Sequence, residues 1–389
     1  LVADDMRPTL GYYGDPVVKQ DIDHLASKRN VYLKRICPDR PTADTYDFIS
    51  HWRVHAGIYT TLPQCFKFKG LHHYPAANHS DDYPYSWSVP PYHPPSFKYD
   101  NRKVCKGIDG QLHVNLLCSV NVSEPPLGTL PDMESAEAVR LLKSTRDSEK
   151  HLFLAVGFHK PHIPFRIPQE VLKLYPLDKM TLEFQVDYTC TLLEKKCNLK
   201  PKRIRQQYYV SVMYLDSQVG MLSNTLDDLG LAKDNDVVFT SDHGKHGEWA
   251  KYSNFDVATR LPLMFYIFPY IDVFGPAQNV NELLDVFPTV SYLAGLKPPH
   301  PCPDNSFDVE LCTLGRQPGL LLQAPRLQQG LQPATLLSWD YRFTLWVGFD
   351  PASFQTDLVI HALELYLMER DPGQDHNLYS ASWARTIIS

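Results

Sequence analysis

Two short apolar runs that end in acidic turns constrain the fold of this 389-residue chain more than any other feature. Residues 236–241 have the composition of a buried strand, and a Ser-Asp-His-Gly turn follows at residues 241–244. Residues 1–3 look like the end of a similar strand, which stops at Asp4 and Asp5. Strand ends of this kind deliver several oxygen ligands to one edge of a sheet, as a hard divalent cation requires. The pattern predicts a split metal site, and its alternative is a pair of ordinary turns.

The rest of the chain alternates between strand-like and helical segments. Apolar runs predict strands at residues 152–157 and 263–267, and apolar residues at helical steps predict helices at residues 135–144 and 205–229. This alternation favours an α/β fold in which helices cover a central sheet.

We predict three parts along the chain. Residues 1–313 form the main domain, which contains both acidic strand ends. Residues 314–335 form a connector, because Gln, Leu, Pro and Gly dominate there. Residues 336–389 form a smaller C-terminal α+β subdomain with a strand at residues 341–348.

Composition excludes some functions and favours a secretory route. A formal net charge of −6 argues against nonspecific nucleic-acid binding, and no apolar run approaches the roughly 20 residues that span a bilayer. Eight cysteines, together with glycosylation sequons at Asn78 and Asn121, favour an oxidising compartment. Because residue 1 is Leu and lies inside an apparent strand, we expect the N-terminus to be incomplete.

Longer runs of the chain resemble the sulfatase family. The matching runs lie in family order at residues 4–8, 11–15, 22–26, 46–48, 52–57, 158–165 and 247–255. The resemblance implies an alkaline-phosphatase-like central sheet and a lysosomal sulfuric ester hydrolase. Its implied partner is a sulfated glycosaminoglycan oligosaccharide, from which it would remove the 2-O-sulfate of iduronate in heparan or dermatan sulfate.

The resemblance also implies a calcium site. Its ligands would be Asp4, Asp5, Asp242 and His243. Ca²⁺ bound there would neutralise the sulfate oxygens and so stabilise the charge that develops in the transition state.

Three basic side chains have implied catalytic roles. His159 would take a proton or position the sulfate, and Lys251 would bind sulfate and help to expel the leaving oxygen. His73 would complete the leaving-group side, with His72 as its alternative and Lys69 beside it. The ordinary alternatives are solvated loop histidines and a surface lysine.

One departure from the family concerns the nucleophile. Sulfatases convert the first residue of Cys-x-Pro-x-Arg, or of its serine variant, to formylglycine, and the motif belongs before the segment that matches residues 40–48. Here Cys37 is followed directly by Pro38, which leaves the motif one residue short, so we predict no nucleophile in this chain. We expect formylglycine-generating enzyme as a partner only if the full protein contains the missing motif. The chain is also shortened between the turn at residues 241–244 and the run that begins at Gly247.

Two other functions therefore stay open. One is a sulfatase-like protein that binds calcium or sulfated glycan without turnover. The other is a phosphoesterase with a hydroxyl nucleophile, for which Thr42 and Thr45 are the nearby candidates.

The resemblance further implies two disulfides that each close a short loop. These would join Cys105 to Cys118 and Cys302 to Cys312, and each would contribute about 2 to 3 kcal/mol. Cys37, Cys65, Cys190 and Cys197 have no family partner, although Cys190 and Cys197 are candidates for a pair.

Overall fold

The structure of the chain is a computed structural model. It describes residues 1–7, 92, 103, 105–106, 109–113, 117–120, 133–146, 152–180, 199–244, 259–267, 283–296, 300–301, 312–313, 337–338, 341–350, 355–371 and 374–384. The strands are β1 (Val2–Asp4), β2 (Cys105–Lys106), β3 (Leu112–His113), β4 (Leu117–Val120), β5 (Gly157–Pro161), β6 (Phe165–Pro168), β7 (Val237–Ser241), β8 (Leu263–Tyr266), β9 (His300–Pro301), β10 (Cys312–Thr313), β11 (Leu337–Ser338), β12 (Tyr341–Asp350) and β13 (Gln355–Leu367). The helices are α1 (Met133–Thr145), α2 (Leu199–Asp228) and α3 (Val286–Leu293), with 3₁₀ turns at Gln169–Leu174, Leu177–Lys179 and Leu283–Asp285.

Among the described residues, four strands in the order β5-β1-β7-β8 form the sheet that positions the candidate site. Strand β1 runs parallel to both β5 and β7, with Val2 opposite Gly157 on one side and Thr240 on the other. Strand β8 pairs with β7 in the antiparallel direction. Because β1, β5 and β7 are parallel, their carboxyl ends lie at one edge, which confirms the strands predicted at residues 1–3 and 236–241.

Helix α2 packs against this sheet through one apolar stripe. The stripe consists of Tyr208, Val212, Leu215, Val219 and Leu222, which recur at helical spacing and are all buried. They share a core with residues of all three parallel strands, namely Ala3, Phe158 and Phe239.

A left-handed glycine ends this helix. Gly230 has φ 71°, its N–H donates to the carbonyl of Asp227, and the N–H of Leu231 donates to that of Leu226. This pattern is a Schellman motif, which favours glycine at the left-handed position. The structure confirms the helices predicted at residues 135–144 and 205–229, and no described helix is both long and apolar enough to cross a membrane.

The predicted strand at residues 152–157 was misplaced. Strand β5 begins only at Gly157, and Leu152 and Phe153 are 36% and 54% exposed. The ladder with β1 instead continues through His159 and Lys160, which are buried. A pattern that weights apolar side chains misses this strand, because its buried positions include polar residues that belong to the site.

The C-terminal part contains a separate antiparallel sheet in the order β11-β12-β13. The β12–β13 pair confirms the strand predicted at residues 341–348, with Tyr341 opposite Leu367. Arg342 of β12 is buried and donates from Nη2 to Oγ1 of Thr259 at 2.9 Å, which ties this sheet to the segment before β8. The division into a domain, a connector and a subdomain remains a prediction, and the connector lies outside the described residues.

Candidate metal and sulfate site

The end of β1 places two carboxylates at the carboxyl edge of the sheet. Asp4 is the last strand residue, and both Asp4 and Asp5 are buried. Asp5 has φ 67°, a left-handed conformation that Asp tolerates better than most residues. The chain therefore leaves the strand abruptly, and non-glycine residues in this region often occur at functional sites.

The turn after β7 lies directly against this pair. Asp242 Oδ1 accepts from the N–H groups of Asp5 at 3.1 Å and His243 at 2.7 Å. His243 Nδ1 lies 3.3 Å from Asp5 Oδ1, and its Nε2 lies 3.6 Å from Asp242 Oδ2. The two halves of the predicted split site thus meet, although Asp5 and Asp242 are 237 residues apart in sequence.

Two overlapping triads at this edge offer metal ligands. One consists of Asp4, Asp5 and His162, the other of Asp4, Asp242 and His243, and within each triad the candidate ligand atoms lie within 4.8 Å of one another. Neighbouring buried carboxylates repel one another unless a proton or a cation compensates their charge. Because carboxylate oxygens are the ligands that hard divalent cations prefer, these residues fit such an ion.

The two histidines of the triads share an orientation that suits metal binding. His162 Nδ1 bonds to the carbonyl of Ile163, and His243 Nδ1 lies 3.2 Å from the carbonyl of Gly244. A carbonyl only accepts, so in the neutral ring this bond assigns the proton to Nδ1 and leaves a lone pair on Nε2. Nε2 of His162 lies 3.6 Å from Asp5 Oδ2, whereas His243 has a carboxylate beside each nitrogen, with Nδ1 3.3 Å from Asp5 Oδ1 and Nε2 3.6 Å from Asp242 Oδ2.

Sequence reasoning did not include His162 in the site. The residue was recognised within the run 158–165, but a histidine between prolines is typical of a loop. The missing information was strand order, because β5 lies beside β1 and Asp4 is in register with Pro161. That pairing places the residue after Pro161 next to the Asp4–Asp5 pair.

The predicted catalytic residue His159 lies close to these triads. It is buried on β5, and its ring centroid is 5.5 Å from that of His162. Its neighbour Lys160 is also buried and donates from Nζ to the carbonyls of His162 at 3.0 Å and Pro164 at 2.6 Å. Lys160 therefore ties the loop after β5 to its own strand. The catalytic role of His159 remains a prediction.

The turn after β1 is stabilised by side chains from two other elements. The N–H of Met6 donates to Oγ of Ser241 at 2.9 Å, and the N–H of Arg7 donates to the hydroxyl of Tyr208 at 3.1 Å. The same hydroxyl donates to the carbonyl of Asp5 at 3.0 Å. Burial raises the pKa of Tyr208 well above its ordinary value, so the phenol stays protonated and can donate.

Several predicted residues cannot be compared with the structure. The following lie outside the described residues: Cys37, Thr42, Thr45, Lys69, His72, His73, Asn78, Asn121, Lys251 and Cys302. Cys105 is disulfide-bonded. Its pairing with Cys118, and that of Cys302 with Cys312, remain predictions.

Comparison with known proteins identifies the family. The family model for sulfatases matches residues 53–296. The chain belongs to the sulfatase family, which confirms the resemblance drawn from the sequence motifs. Iduronate 2-sulfatase of Mus musculus is 42% identical, and that of Homo sapiens is 40% identical, each over 98% of this chain and 90% of the relative. This chain is a sulfuric ester hydrolase by family and resembles iduronate 2-sulfatase.

A solved structure from work on glycosaminoglycan metabolism by Bacteroides thetaiotaomicron is also similar. It is 22% identical, covers 75% of this chain and 61% of its own, and superimposes with a TM-score of 0.49. The predicted α/β class is confirmed by the element order and by the parallel pairing of β1 with β5 and β7.

The alignments with the two iduronate 2-sulfatases contain long gaps. Each runs over 498 residues, whereas the chain has 389, so stretches of the relatives have no counterpart here. The shortened segments around Cys37 and before Gly247 remain predictions.

Proposed function

We propose that this chain is a calcium-dependent sulfuric ester hydrolase that removes the 2-O-sulfate of iduronate from heparan and dermatan sulfate in the lysosome. The observation that supports this most is the convergence of Asp4, Asp5, Asp242 and His243 at one sheet edge. The substrate class comes from the two iduronate 2-sulfatases, which align over nearly the whole chain. The secretory route rests on the cysteine content and the sequons.

The residues of the site would have two roles, which are to stabilise the charge on the sulfate and to transfer protons. Asp4, Asp5, Asp242 and His243 would hold Ca²⁺, which when bound supplies positive charge for the sulfate oxygens. His159 would hold or move a proton beside the sulfate, since it is buried 5.5 Å from the His162 ring. Lys251 would add a second positive charge on the sulfate, and His73, or His72 in its place, would complete the leaving-group side. Attack on sulfur would require the hydrated formylglycine of a Cys-x-Pro-x-Arg motif, which these 389 residues do not contain.

A second candidate function is calcium-dependent binding of a sulfated glycan without turnover. The specific observation in its favour is the sequence itself, which contains no Cys-x-Pro-x-Arg motif or serine equivalent. Without that residue the formylglycine nucleophile cannot form, whereas the cation-binding residues are all present. Formylglycine-generating enzyme would act on this protein only where the motif is restored.

One experiment separates the two candidates. The purified chain is mixed with an iduronate-2-sulfated disaccharide at acid pH, with Ca²⁺ or with EDTA, and both binding and free sulfate are measured. Calcium-dependent sulfate release supports hydrolysis, and binding without release supports the second candidate and overturns the first. If the sulfated disaccharide binds no better than its unsulfated counterpart, both proposals fail.

A further inference from the structure

A clamp formed by three side chains holds the turn that carries Asp5. The N–H groups of Asp5, Met6 and Arg7 donate in order to Asp242 Oδ1, Ser241 Oγ and the Tyr208 hydroxyl. Three successive backbone donors are thus satisfied by side chains more than 200 residues away in sequence. This arrangement replaces the local hydrogen bonds that a turn would normally make.

The Tyr208 hydroxyl makes two hydrogen bonds in this clamp, one as acceptor and one as donor. Its hydroxyl accepts from the N–H of Arg7 at 3.1 Å and donates to the carbonyl of Asp5 at 3.0 Å. The hydroxyl therefore bridges the two ends of the turn. Because α2 is anchored in the core through this same stripe, the bridge connects the turn to a rigid element.

The conformation that the clamp stabilises is unfavourable for an isolated chain. A left-handed non-glycine residue such as Asp5, at φ 67°, is retained when surrounding contacts determine it. If the turn relaxed, the Asp5 carboxylate would move relative to Asp4 and Asp242, which share its triads. Small displacements of a ligand weaken a metal site that depends on several oxygens at once.

We propose that Tyr208 is a positioning residue, which holds the Asp5 turn in the left-handed conformation required for divalent-cation binding at the sheet edge. This inference rests on the proposed function, because it assumes that the Asp4–Asp5 site takes Ca²⁺. It adds a residue on α2 that contacts the backbone of a ligand rather than the ion.

The neighbouring tyrosine provides a matched control. Tyr208 and Tyr209 are consecutive on α2 and 4% and 1% exposed. The hydroxyl of Tyr209 accepts from the guanidinium groups of Arg7 at 3.4 Å and Arg205 at 3.3 Å, and no hydrogen bond joins it to the described backbone of residues 5–7. Replacing either tyrosine by phenylalanine removes one buried hydroxyl, but only Tyr208→Phe opens the clamp.

The test measures the Kd for Ca²⁺ by titration calorimetry on the full chain, and thermal unfolding in EDTA on the same samples. We expect Tyr208→Phe to weaken Ca²⁺ binding about tenfold, because binding must then re-impose a turn that has lost two hydrogen bonds. Tyr209→Phe should change the Kd by less than about twofold, even if both variants lose similar thermal stability. Equal Kd values for Tyr208→Phe and the unmodified chain would overturn the inference and leave the proposed function standing.

A second variant keeps the inference testable if Tyr208→Phe does not fold. Ser241→Ala removes the acceptor of the Met6 N–H and should also weaken Ca²⁺ binding several-fold. An unchanged Kd for this folded variant would contradict a role for the clamp. If the unmodified chain binds no Ca²⁺, the cation part of the proposed function fails first, and the inference fails with it.

Discussion

The strand-end site and the C-terminal hairpin are built from contacts of very different range. At the site, Asp5 bonds to a residue 237 positions away, and Tyr208 bonds to Asp5 across 203 positions. In the hairpin, β12 pairs with β13 directly along the chain, and Asn377 donates to the carbonyl of Leu363 only 14 positions away. The hairpin can therefore form from local sequence, whereas the site exists only when β1, β7 and α2 have all assembled.

This difference predicts how the two regions respond to substitution. Changes at the site should alter cation binding strongly and report on the whole sheet. Changes in the hairpin should alter stability locally and leave cation binding unaffected. Four experiments test this separation.

The largest effect is expected for Asp5→Asn. Asparagine keeps the shape and tolerates the left-handed conformation, but it removes one buried negative charge from the site. We expect Ca²⁺ affinity to fall by about 100-fold or more, since two unit charges 4 Å apart already attract by roughly 4 kcal/mol at an effective dielectric of 20, and Ca²⁺ carries two charges. Calorimetric titration measures this.

The control for Asp5→Asn is Asp371→Asn in the hairpin region. Asp371 lies outside the site and accepts the N–H groups of Asp375 at 2.9 Å and His376 at 2.8 Å, so the same Asp→Asn exchange is made far from the candidate ligands. Its Kd for Ca²⁺ should equal that of the unmodified chain. A similar loss in both variants would mean that the affinity reflects general stability.

The next effect concerns the hydrogen bond between the two regions. Arg342→Met removes the buried guanidinium that donates to Thr259, and we expect the free energy of unfolding to fall by about 2 to 3 kcal/mol. Thr259→Val leaves the buried guanidinium without this acceptor and should cost a similar amount, about 1 to 3 kcal/mol. Urea unfolding gives both values, and a changed Kd for Ca²⁺ in Arg342→Met would contradict the independence of the two regions.

Hydrogen exchange gives a comparison without substitution. At free Ca²⁺ tenfold above its Kd, bound ion should slow exchange of the Asp5, Met6 and Arg7 amides about tenfold, because opening the turn then requires release of the ion. The Leu365 amide, which donates to Asn377 Oδ1 at 3.1 Å, should exchange at the same rate with Ca²⁺ or EDTA. If Ca²⁺ slowed exchange of the Leu365 amide as much as that of the amides of residues 5–7, the site and the hairpin would open as one cooperative unit.

The smallest effect is expected for Asn377→Ala. Its side chain accepts from the N–H groups of Leu365 and Tyr379 and donates to the carbonyl of Leu363, which fastens the segment after β13 to that strand. Because Asn377 is exposed, water replaces part of these bonds, so we expect a loss of about 1 kcal/mol. Chemical denaturation measures this loss in the free energy of unfolding, and the calorimetric Kd for Ca²⁺ should not change. A loss above about 3 kcal/mol would show that the hairpin depends on more than local contacts.

Local sequence predicted the parts of the fold that depend on local patterns. Periodicity located α1, α2 and the β12 strand, and the acidic strand ends predicted the meeting of Asp5 with Asp242 and His243. The family motifs then supplied the expected chemistry. These signals succeed because each residue type is tied to the geometry of its own segment.

Partners from distant segments could not be predicted in the same way. His162 joins the site only because β5 pairs with β1, and Tyr208 reaches Asp5 only because α2 packs against the sheet. Neither the strand pairing nor the contact of Tyr208 with Asp5 can be recognised from the spacing of residues within a single segment. The start of β5 was misplaced for a related reason, since His159 and Lys160 are polar yet lie buried in the strand.

The long separation between Asp5 and Asp242 also has a consequence for synthesis on the ribosome. At about 5 to 20 residues per second, the Asp4–Asp5 segment waits roughly 10 to 50 s before its partner turn is made. During that interval Val2 and Ala3, which end up buried between two strands, have no β7 to pair with. The nascent chain must therefore keep an apolar strand from aggregating while more than half of the protein is being translated, and only afterwards can the ion be taken up.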